Sequence, residues 1–539
     1  MTDHQYGNAF GERPDTKTTD QTNGKSFKSL MCNIFERTTA HGIPNIYRSE
    51  TKLGKLIWTS LFLTAVSLLL YQSKELVAKY LTYPVDVQLD VKYKIELEFP
   101  AVTICNINPI RESLLREDPD LKDTNLIEDS DQCDVFDGDV DFNQDEKEEY
   151  QGWEYFLSQT DPYGTETVAR QQIETLSNLL SNKSNEEKKN LGHQIEDLLV
   201  GCSWSSLSCS PENFTNHFFN AFHGNCYTFN SNPNSSEPKK SKYSGPSAGL
   251  SIMLFIEQNE YLYDVSASAG VRVVIHDQGK MPFPEEEGYY VSPGHHTSIA
   301  LRRVEINRLS TYDKPCMSEE EMANYWDFYT FYGVEYNQQT CVKTCYQRQI
   351  MEHCGCYDIY YPTNETSLDP KERTVKPCDL TNEEDDDCVE GFQETFRISG
   401  YTYCSCQQPC NTVSYTSDIS TSYWPSDNYK ENLKENLVNF SKPLRETVEA
   451  DCNDKNAIRL NLLNLDIYYQ DLNYEVINQS FTYTFIDLVG ALGGLVGLWL
   501  GLSILTIFEV FELFIDLTRY FIFKSARSKS AGISPSSHN

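Results

Sequence analysis

Basic residues are scarce in this chain: 45 Lys and Arg stand against 79 Asp and Glu over 539 residues, a formal net charge of −34. Phosphate recognition needs clustered cations, so nucleic acid is excluded as a partner. Zinc-protease spacing and a nucleophile elbow are both missing, so no enzyme, catalytic residue or resident cofactor is expected. There is no internal repeat and no long low-complexity linker. Long apolar runs are few as well: mean hydropathy is −0.51, and most of the chain meets water. The segment ahead of the first apolar run is polar, unlike the short n-region of a cleaved signal peptide.

Two apolar runs remain. Leu56–Tyr71 lies in a stretch with no charge between Lys55 and Lys74, and Leu488–Phe508 in one with none between Asp487 and Glu509. At about 1.5 Å per residue each roughly spans a hydrocarbon core of ~30 Å. A buried core helix normally keeps a polar face, which neither run has. Arg37, Arg48, Lys52 and Lys55 precede the first run; Arg519, Lys524, Arg527 and Lys529 follow the second. The positive-inside rule then puts both ends in the cytoplasm and the intervening chain outside the cell. Six sequons, at Asn182, Asn213, Asn234, Asn364, Asn439 and Asn478, all lie between the runs. Of 17 cysteines only Cys32 precedes the first run, and the other 16 lie between the two, an even number suited to disulfides in an oxidising compartment.

Between the runs, alternation in 85–99 and again across 249–310 predicts strands. Residues 107–240 are polar and partly helical, and 117–149 holds fifteen acids and two lysines. Residues 317–410 turn helical and cysteine-dense, with Ser318 and Glu321 as a capping-box pair ahead of an aromatic stretch. Residues 455–484 return to strand alternation and lead into the second run.

FPAVTICNINPIR (Phe99–Arg111), GLSIMLFIEQNEYL (Gly249–Leu262), CSCQQPCNTVSY (Cys404–Tyr415) and the segment Leu472–Glu512, in that order, resemble the epithelial sodium channel/degenerin family, which includes acid-sensing and peptide-gated channels. The resemblance covers most of the chain. It implies a trimeric α+β membrane protein with two transmembrane helices and a large, disulfide-rich extracellular palm/finger/thumb domain. The expected divisions are 1–52, cytoplasmic, with a His-Gly motif; 53–74, first transmembrane helix; 75–484, extracellular; 485–516, second transmembrane helix with pore and filter; and 517–539, cytoplasmic. Within the extracellular part an acidic finger is expected at about 107–240 and a thumb at about 317–404. The resemblance also implies the pairs Cys105–Cys226, Cys202–Cys209, Cys316–Cys410, Cys341–Cys406, Cys345–Cys404, Cys354–Cys388 and Cys356–Cys378. Cys133 and Cys452 are left and are expected to pair, although spacing alone leaves connectivity open. Cys354-Gly-Cys356 and Cys404-Ser-Cys406 would also suit a metal, but no histidine pattern accompanies them and none is expected.

Gly493, Gly497 and Gly501 recur on one helical face, which suits either close helix packing or backbone opened toward a pore. By the resemblance, Gly501, Leu502 and Ser503 form the selectivity filter, where three copies of exposed carbonyls replace part of an ion's hydration. Leu502 departs from the family's small middle residue. Gly490 takes the degenerin position; Asp487, Glu509 and Glu512 are pore-mouth acids; His41 and Gly42 form the gating motif. Tyr83 is the wrist tyrosine. Tyr312 takes the place of its usual tryptophan partner, because Arg308–Cys316 contains no tryptophan.

The acidic stretch admits three readings: a solvated loop, a calcium site at Asp137–Asp141, or a surface for a basic peptide. Trp153, Tyr155 and Phe156 lie close by in sequence, and carboxylates beside aromatic rings suit an Arg-containing amidated peptide. CNINPIR is nearer the peptide-gated and epithelial members. The expectation is therefore a plasma-membrane, amiloride-sensitive homotrimer in the lipid bilayer, passing Na⁺ and opened by an FMRFamide-like neuropeptide. Acid-sensing or constitutively open channels of the same family are the alternatives, and a non-conducting surface receptor is the alternative of another class.

Overall fold

The computed structural model describes residues 42–119, 121–122, 164–181, 183–231, 237–262, 265–363, 375–380, 382–438, 440–451 and 456–530. The chain divides into two compact units, Met1–Asp86 with Phe481–Asn539, and Val87–Ser480.

Two sheets organise the larger unit. The eight-stranded one runs in the order Val85–Tyr93, Asn473–Phe481, His295–Asn307, Leu462–Tyr469, Leu250–Phe255, Leu199–Trp204 and Leu207–Ser208, with Asn411–Tyr423 also on His295–Asn307. His295–Asn307 meets Asn411–Tyr423 antiparallel along its whole length, from His295↔Tyr423 to Asn307↔Asn411. Its other edge takes two strands in succession, both parallel to it: Asn464–Tyr469 against its first half and Glu475–Asn478 against its second. The five-stranded antiparallel sheet runs Tyr289–Val291, Val271–His276, Ala101–Asn106, Gly224–Phe229, Phe214–Asn220. Every residue of Ala101–Asn106 and of Gly224–Phe229 is buried. The strands expected over 249–310 are thus shared between two sheets, because period-two alternation marks a buried face without naming the partner strand.

The CNINPIR segment leaves the smaller sheet as a buried polar hub. Asn106 Nδ2 donates to the Ile256 carbonyl at 2.8 Å, and the Tyr261 hydroxyl donates to Asn106 Oδ1 at 2.6 Å. Asn108 donates to the carbonyls of Ile110 and Glu260 and accepts from Leu262 N and Ser266 Oγ. Arg111 reaches Glu257 at 2.6 Å and Asp197 at 2.7 Å. Asn108 Nδ2 also lies 3.0 Å from His193 Nε2, and His193 Nδ1 is hydrogen-bonded to Glu257 at 2.8 Å. Burial acts to raise the Glu257 pKa, but the His193 hydrogen bond and the Arg111 charge outweigh it and hold the carboxyl below its ordinary range. Glu257 itself sits at φ 52, a left-handed conformation sustained only where its surroundings dictate it.

Two helical lobes flank the sheets. In one, Leu176 and Leu180 of the helix Gly164–Ser181 pack with Leu191, Ile110, Leu115, Leu121, Leu262 and Val265. The short helix Asn185–Leu191 starts on a capping box of Ser184 and Glu187. The other lobe pairs Gln338–His353 with Glu383–Tyr403 around Tyr346, Ile350, Cys378 and Val389. Among the described residues seven disulfides are formed: Cys105–Cys226, Cys202–Cys209, Cys316–Cys410, Cys341–Cys406, Cys345–Cys404, Cys354–Cys388 and Cys356–Cys378. Cys341 and Cys345, one turn apart on a single helix, tie its first half to the segment that returns to the large sheet. Cys133 and Cys452 lie outside the described residues.

Ser318 and Glu321 do form a capping box, but the helix they start ends at Ala323. The aromatic stretch beyond folds as turns, because the Asp327 carboxylate accepts from the backbone of Tyr329 and Thr330 and so competes with helix continuation. Ala457–Asn461 is likewise a helical turn before the strand Leu462–Tyr469 begins.

Candidate functional site

The smaller unit is built around the helix Lys52–Leu81, thirty residues and apolar enough to cross a membrane. It runs on past the residue-74 limit expected for the span. Thr51 caps it by accepting from Gly54 N at 3.1 Å. Its internal hydroxyls are turned back on their own helix: Thr59 to Lys55 O, Thr64 to Ser60 O and Ser67 to Leu63 O, at 2.7 to 2.9 Å. Bonded this way they present little polarity outward. Leu53, Leu56, Leu61, Leu63, Leu68 and Leu70 stand exposed on its surface, as lipid-facing side chains would.

The second apolar run is two helices, Phe485–Leu500 and Ile504–Ser530. They are long and apolar enough to cross a membrane only together, with a 73° bend between Phe485–Leu500 and Leu505–Arg519. Thr484 and Asp487 form a capping box at the start: Thr484 Oγ1 accepts from Asp487 N at 3.2 Å, and Asp487 Oδ2 accepts from Thr484 N at 2.9 Å. Asp487, expected as a mouth acid, thus also holds the first turn in place. The break comes at Gly501, which adopts φ 65, ψ 19 and donates its N–H to Gly497 O at 2.9 Å. Only glycine takes that left-handed conformation without cost. Ser503 starts the next helix: its N–H donates to Thr506 Oγ1 and its carbonyl accepts from Thr506 N, both at 3.0 Å. Between these two caps the carbonyls of Gly501 and Leu502 have no hydrogen-bond partner among the described residues. Backbone left open at membrane depth is tolerated only where it lines water or protein.

Around this break, Trp499 Nε1 donates to Gln72 Oε1 on the helix Lys52–Leu81 at 2.8 Å. Neither residue stood out in the sequence, since a lone glutamine at the end of an apolar run carries no signal. A Cβ at Gly490, Gly493 or Gly494 would meet nothing within 4 Å, so that face is open. Glu509 is half-buried and Glu512 exposed, one turn apart on Ile504–Ser530. Gly42 sits at φ 95, and a Cβ there would come 3.1 Å from the Phe62 ring of the long helix. That conformation and that approach both call for glycine. His41 lies outside the described residues.

Tyr83 takes φ 45 and sets its ring 6.1 Å from Tyr80 and 6.3 Å from Phe481. Thr482 N donates to Pro84 O at 2.9 Å, and Lys79 Nζ lies 4.9 Å from the Tyr483 ring centroid. Phe481, beside Tyr83, and Tyr483, beside Lys79, were overlooked in the sequence. Tyr312, in the larger unit, is 92% exposed. Trp153, Tyr155 and Phe156 lie outside the described residues, as do Asn182, Asn234, Asn364 and Asn439. Of the two described sequons, Asn213 accepts from Ser210 N through Oδ1. Asn478 is half-buried, accepts from Asn307 and donates Nδ2, the atom a glycan would take, to Asp90 at 3.3 Å.

A glycine-broken apolar helix bearing open carbonyls and followed by carboxylates, in a chain with a disulfide-rich ectodomain, has the features of an ion channel. The amiloride-sensitive sodium channel family model matches residues 34–513, and the chain belongs to that family. It is 27% identical to epithelial sodium channel subunit beta-2 of Xenopus laevis over 92% of this chain and 84% of that one. To acid-sensing ion channel 1A of Danio rerio it is 28% identical over 92% and 90%. Degenerin unc-8 of Caenorhabditis elegans is 32% identical over 66% of this chain and 44% of its own length. The chain is a sodium channel subunit and not an enzyme; members of its family are plasma-membrane channels that assemble as multimers.

The Trp499–Gln72 bond gives a direct test of the break's support. An indole N–H left without its acceptor costs about 1–3 kcal/mol, whereas changing both partners avoids the orphaned donor. Gln72→Leu is expected to lower single-channel open probability about tenfold, and Gln72→Leu with Trp499→Phe to recover most of it. A double-mutant cycle in open probability is expected to give a coupling of about 1–2 kcal/mol, the size model peptides give for hydrogen bonds between membrane helices; zero coupling would remove this bond from the site's support.

Proposed function

We propose that three copies of this chain form a sodium-selective plasma-membrane channel, with both termini cytoplasmic, opened by an extracellular FMRFamide-like neuropeptide and blocked by amiloride. In this reading the helix Lys52–Leu81 and the bent pair 485–530 each cross the bilayer. The observation that carries it is the opening at Gly501–Leu502–Ser503, where the carbonyls of Gly501 and Leu502, unpartnered among the described residues, would be presented in triplicate to a dehydrating cation. Glu509 and Glu512 would then form carboxylate rings at the inner mouth and raise the local cation concentration. The glycine face at Gly490, Gly493 and Gly494 leaves room for neighbouring copies or for the conduction path. Peptide gating rests on the CNINPIR sequence and on the acidic, aromatic-flanked finger.

Two-electrode voltage clamp on cells expressing the full chain alone tests this. FMRFamide is expected to evoke an inward sodium current that amiloride blocks. A current at low pH with none to peptide would replace the peptide-gated reading by an acid-sensing one, the activity in the name of the Danio rerio relative. Current without any stimulus would mark a constitutive channel. No current under any of these conditions, with protein at the surface, would reject the homotrimer.

A further inference from the structure

A cavity of about 400 Å³ opens between the helices Gly164–Ser181 and Asn185–Leu191, the hairpin joining Phe214–Asn220 to Gly224–Phe229, and the turns around Tyr329 and Tyr360. That volume lies within the range of small-ligand sites, about 300–1,000 Å³. Its walls are aromatic: Phe218, Phe283, Tyr329, Tyr332 and Tyr360 all line it. The first three are almost wholly buried by their own surroundings, at 3%, 2% and 4% exposure, so the wall is preformed.

The polar groups in this cavity are unevenly used. Glu285 is occupied, by Lys343 at 3.1 Å and by Asn220 at 2.9 Å. Lys183 is held by Asp118 at 2.8 Å. Ser177 is different: it is 6% exposed, and its hydroxyl has no hydrogen-bond partner among the described residues. Thr59, Thr64 and Ser67 return their hydroxyls to their own helix, and Ser177 does not. Lys188 lines the same cavity, and its ammonium likewise has neither hydrogen-bond nor ion-pair partner among the described residues. Burial lowers its pKa below the ordinary lysine value, the mark of a cation short of compensating acceptors. The cavity therefore offers ring faces and two spare donors, and its complement is an aromatic ring joined to a strong acceptor.

We propose that this cavity receives the C-terminal phenylalanine amide of the activating peptide, the phenyl ring among Phe218, Phe283 and Tyr329 and the amide carbonyl on Ser177 Oγ and Lys188 Nζ. This rests on the peptide-gated reading above. A carboxylate would satisfy the same donors, but the amide is chosen because a chain of net charge −34 repels an anionic ligand and a free acid terminus adds a negative charge. The site lies apart from Trp153, Tyr155 and Phe156 in sequence, and assigns them no part in holding this end of the peptide.

The test uses the full chain in cell membranes and an FMRFamide analogue whose last residue is p-benzoylphenylalanine amide. After illumination, covalent attachment is expected within 218–221 or 357–363, competed by unlabelled FMRFamide and lost in Ala221→Trp, which fills the cavity. In voltage clamp, Lys188→Met is expected to raise the half-maximal FMRFamide concentration about tenfold, as loss of one charge-assisted hydrogen bond would. Peptide with a free acid terminus is expected to be at least tenfold weaker than the amide; equal potency overturns the amide assignment. Peptide-evoked current with attachment elsewhere overturns the cavity and leaves peptide gating standing. Competed attachment in the cavity with no current supports the site and rejects peptide gating. Absence of both rejects the two together.

Discussion

Gly501→Val is expected to abolish macroscopic sodium current, by at least tenfold, while surface biotinylation shows the protein delivered normally. Gly501 stands at φ 65, a conformation that costs an L-residue about 1–2 kcal/mol and a β-branched one more. A helical residue there would extend Phe485–Leu500 toward Ser503 and draw the Gly501 and Leu502 carbonyls into the helix ladder. The cation would then lose the groups that replace its water. Gly501→Ala is expected to have a smaller effect of the same sign. Surface-expressed Gly501→Val with wild-type current would show that conduction does not depend on this break.

Acid is expected to loosen the five-stranded sheet well above the pH at which carboxylates protonate. Burial holds His276 down to about 4. Its Nε2 accepts from the Thr103 hydroxyl at 2.8 Å and its Nδ1–H donates to the Asp277 carbonyl at 3.0 Å, so an added proton would face a lost acceptor. His223 is also held at about 4, first by burial and then by the Arg272 charge. His217 is lowered too, mainly by burial. For a histidine whose folded pKa lies below its unfolded value, the stabilisation is complete above about 6.5. It falls as pH drops from 6.5 toward the folded pKa. For His276 and His223 that window is 6.5 to about 4, and each removes about 2 kcal/mol by pH 5. Asp277, Glu287 and Asp358 act in the opposite sense, since burial raises them and their contribution grows as pH falls. Glu257, held low, adds a further loss only as pH falls below about 4.5. The melting temperature of the detergent-solubilised channel is expected to drop by several degrees between pH 7 and 5, and His276→Gln to flatten that slope. A melting temperature independent of pH over this interval would contradict the neutral assignment of both histidines.

Legibility differed sharply from element to element. Leu56–Tyr71 and Leu488–Phe508 were readable because hydrophobicity over a membrane's width is a local property of consecutive residues. The same locality made Ser318 with Glu321 readable as a cap, though not where that helix stops, which Asp327 decides through its own hydrogen bonds. Five glycines between 490 and 501 pointed to an irregular second run, but composition could not say which one breaks it. The break falls at Gly501 because Ser503 and Thr506 begin a new helix just beyond it.

What the sequence determined by itself is therefore the two membrane-length apolar runs, the cysteine-rich framework between them and the family to which the chain belongs. All three rest on patterns carried along the chain. Tertiary structure alone decided how the alternating strands divide between two sheets, and that CNINPIR ends in a hub joining Arg111 to Glu257 across 146 positions and His193 to Glu257 across 64. It also decided that Trp499 meets Gln72 across 427 positions, and that Ser177 and Lys188 share one aromatic cavity. Such contacts follow from which surfaces bury each other, and burial is settled by the whole chain at once rather than by any window of it.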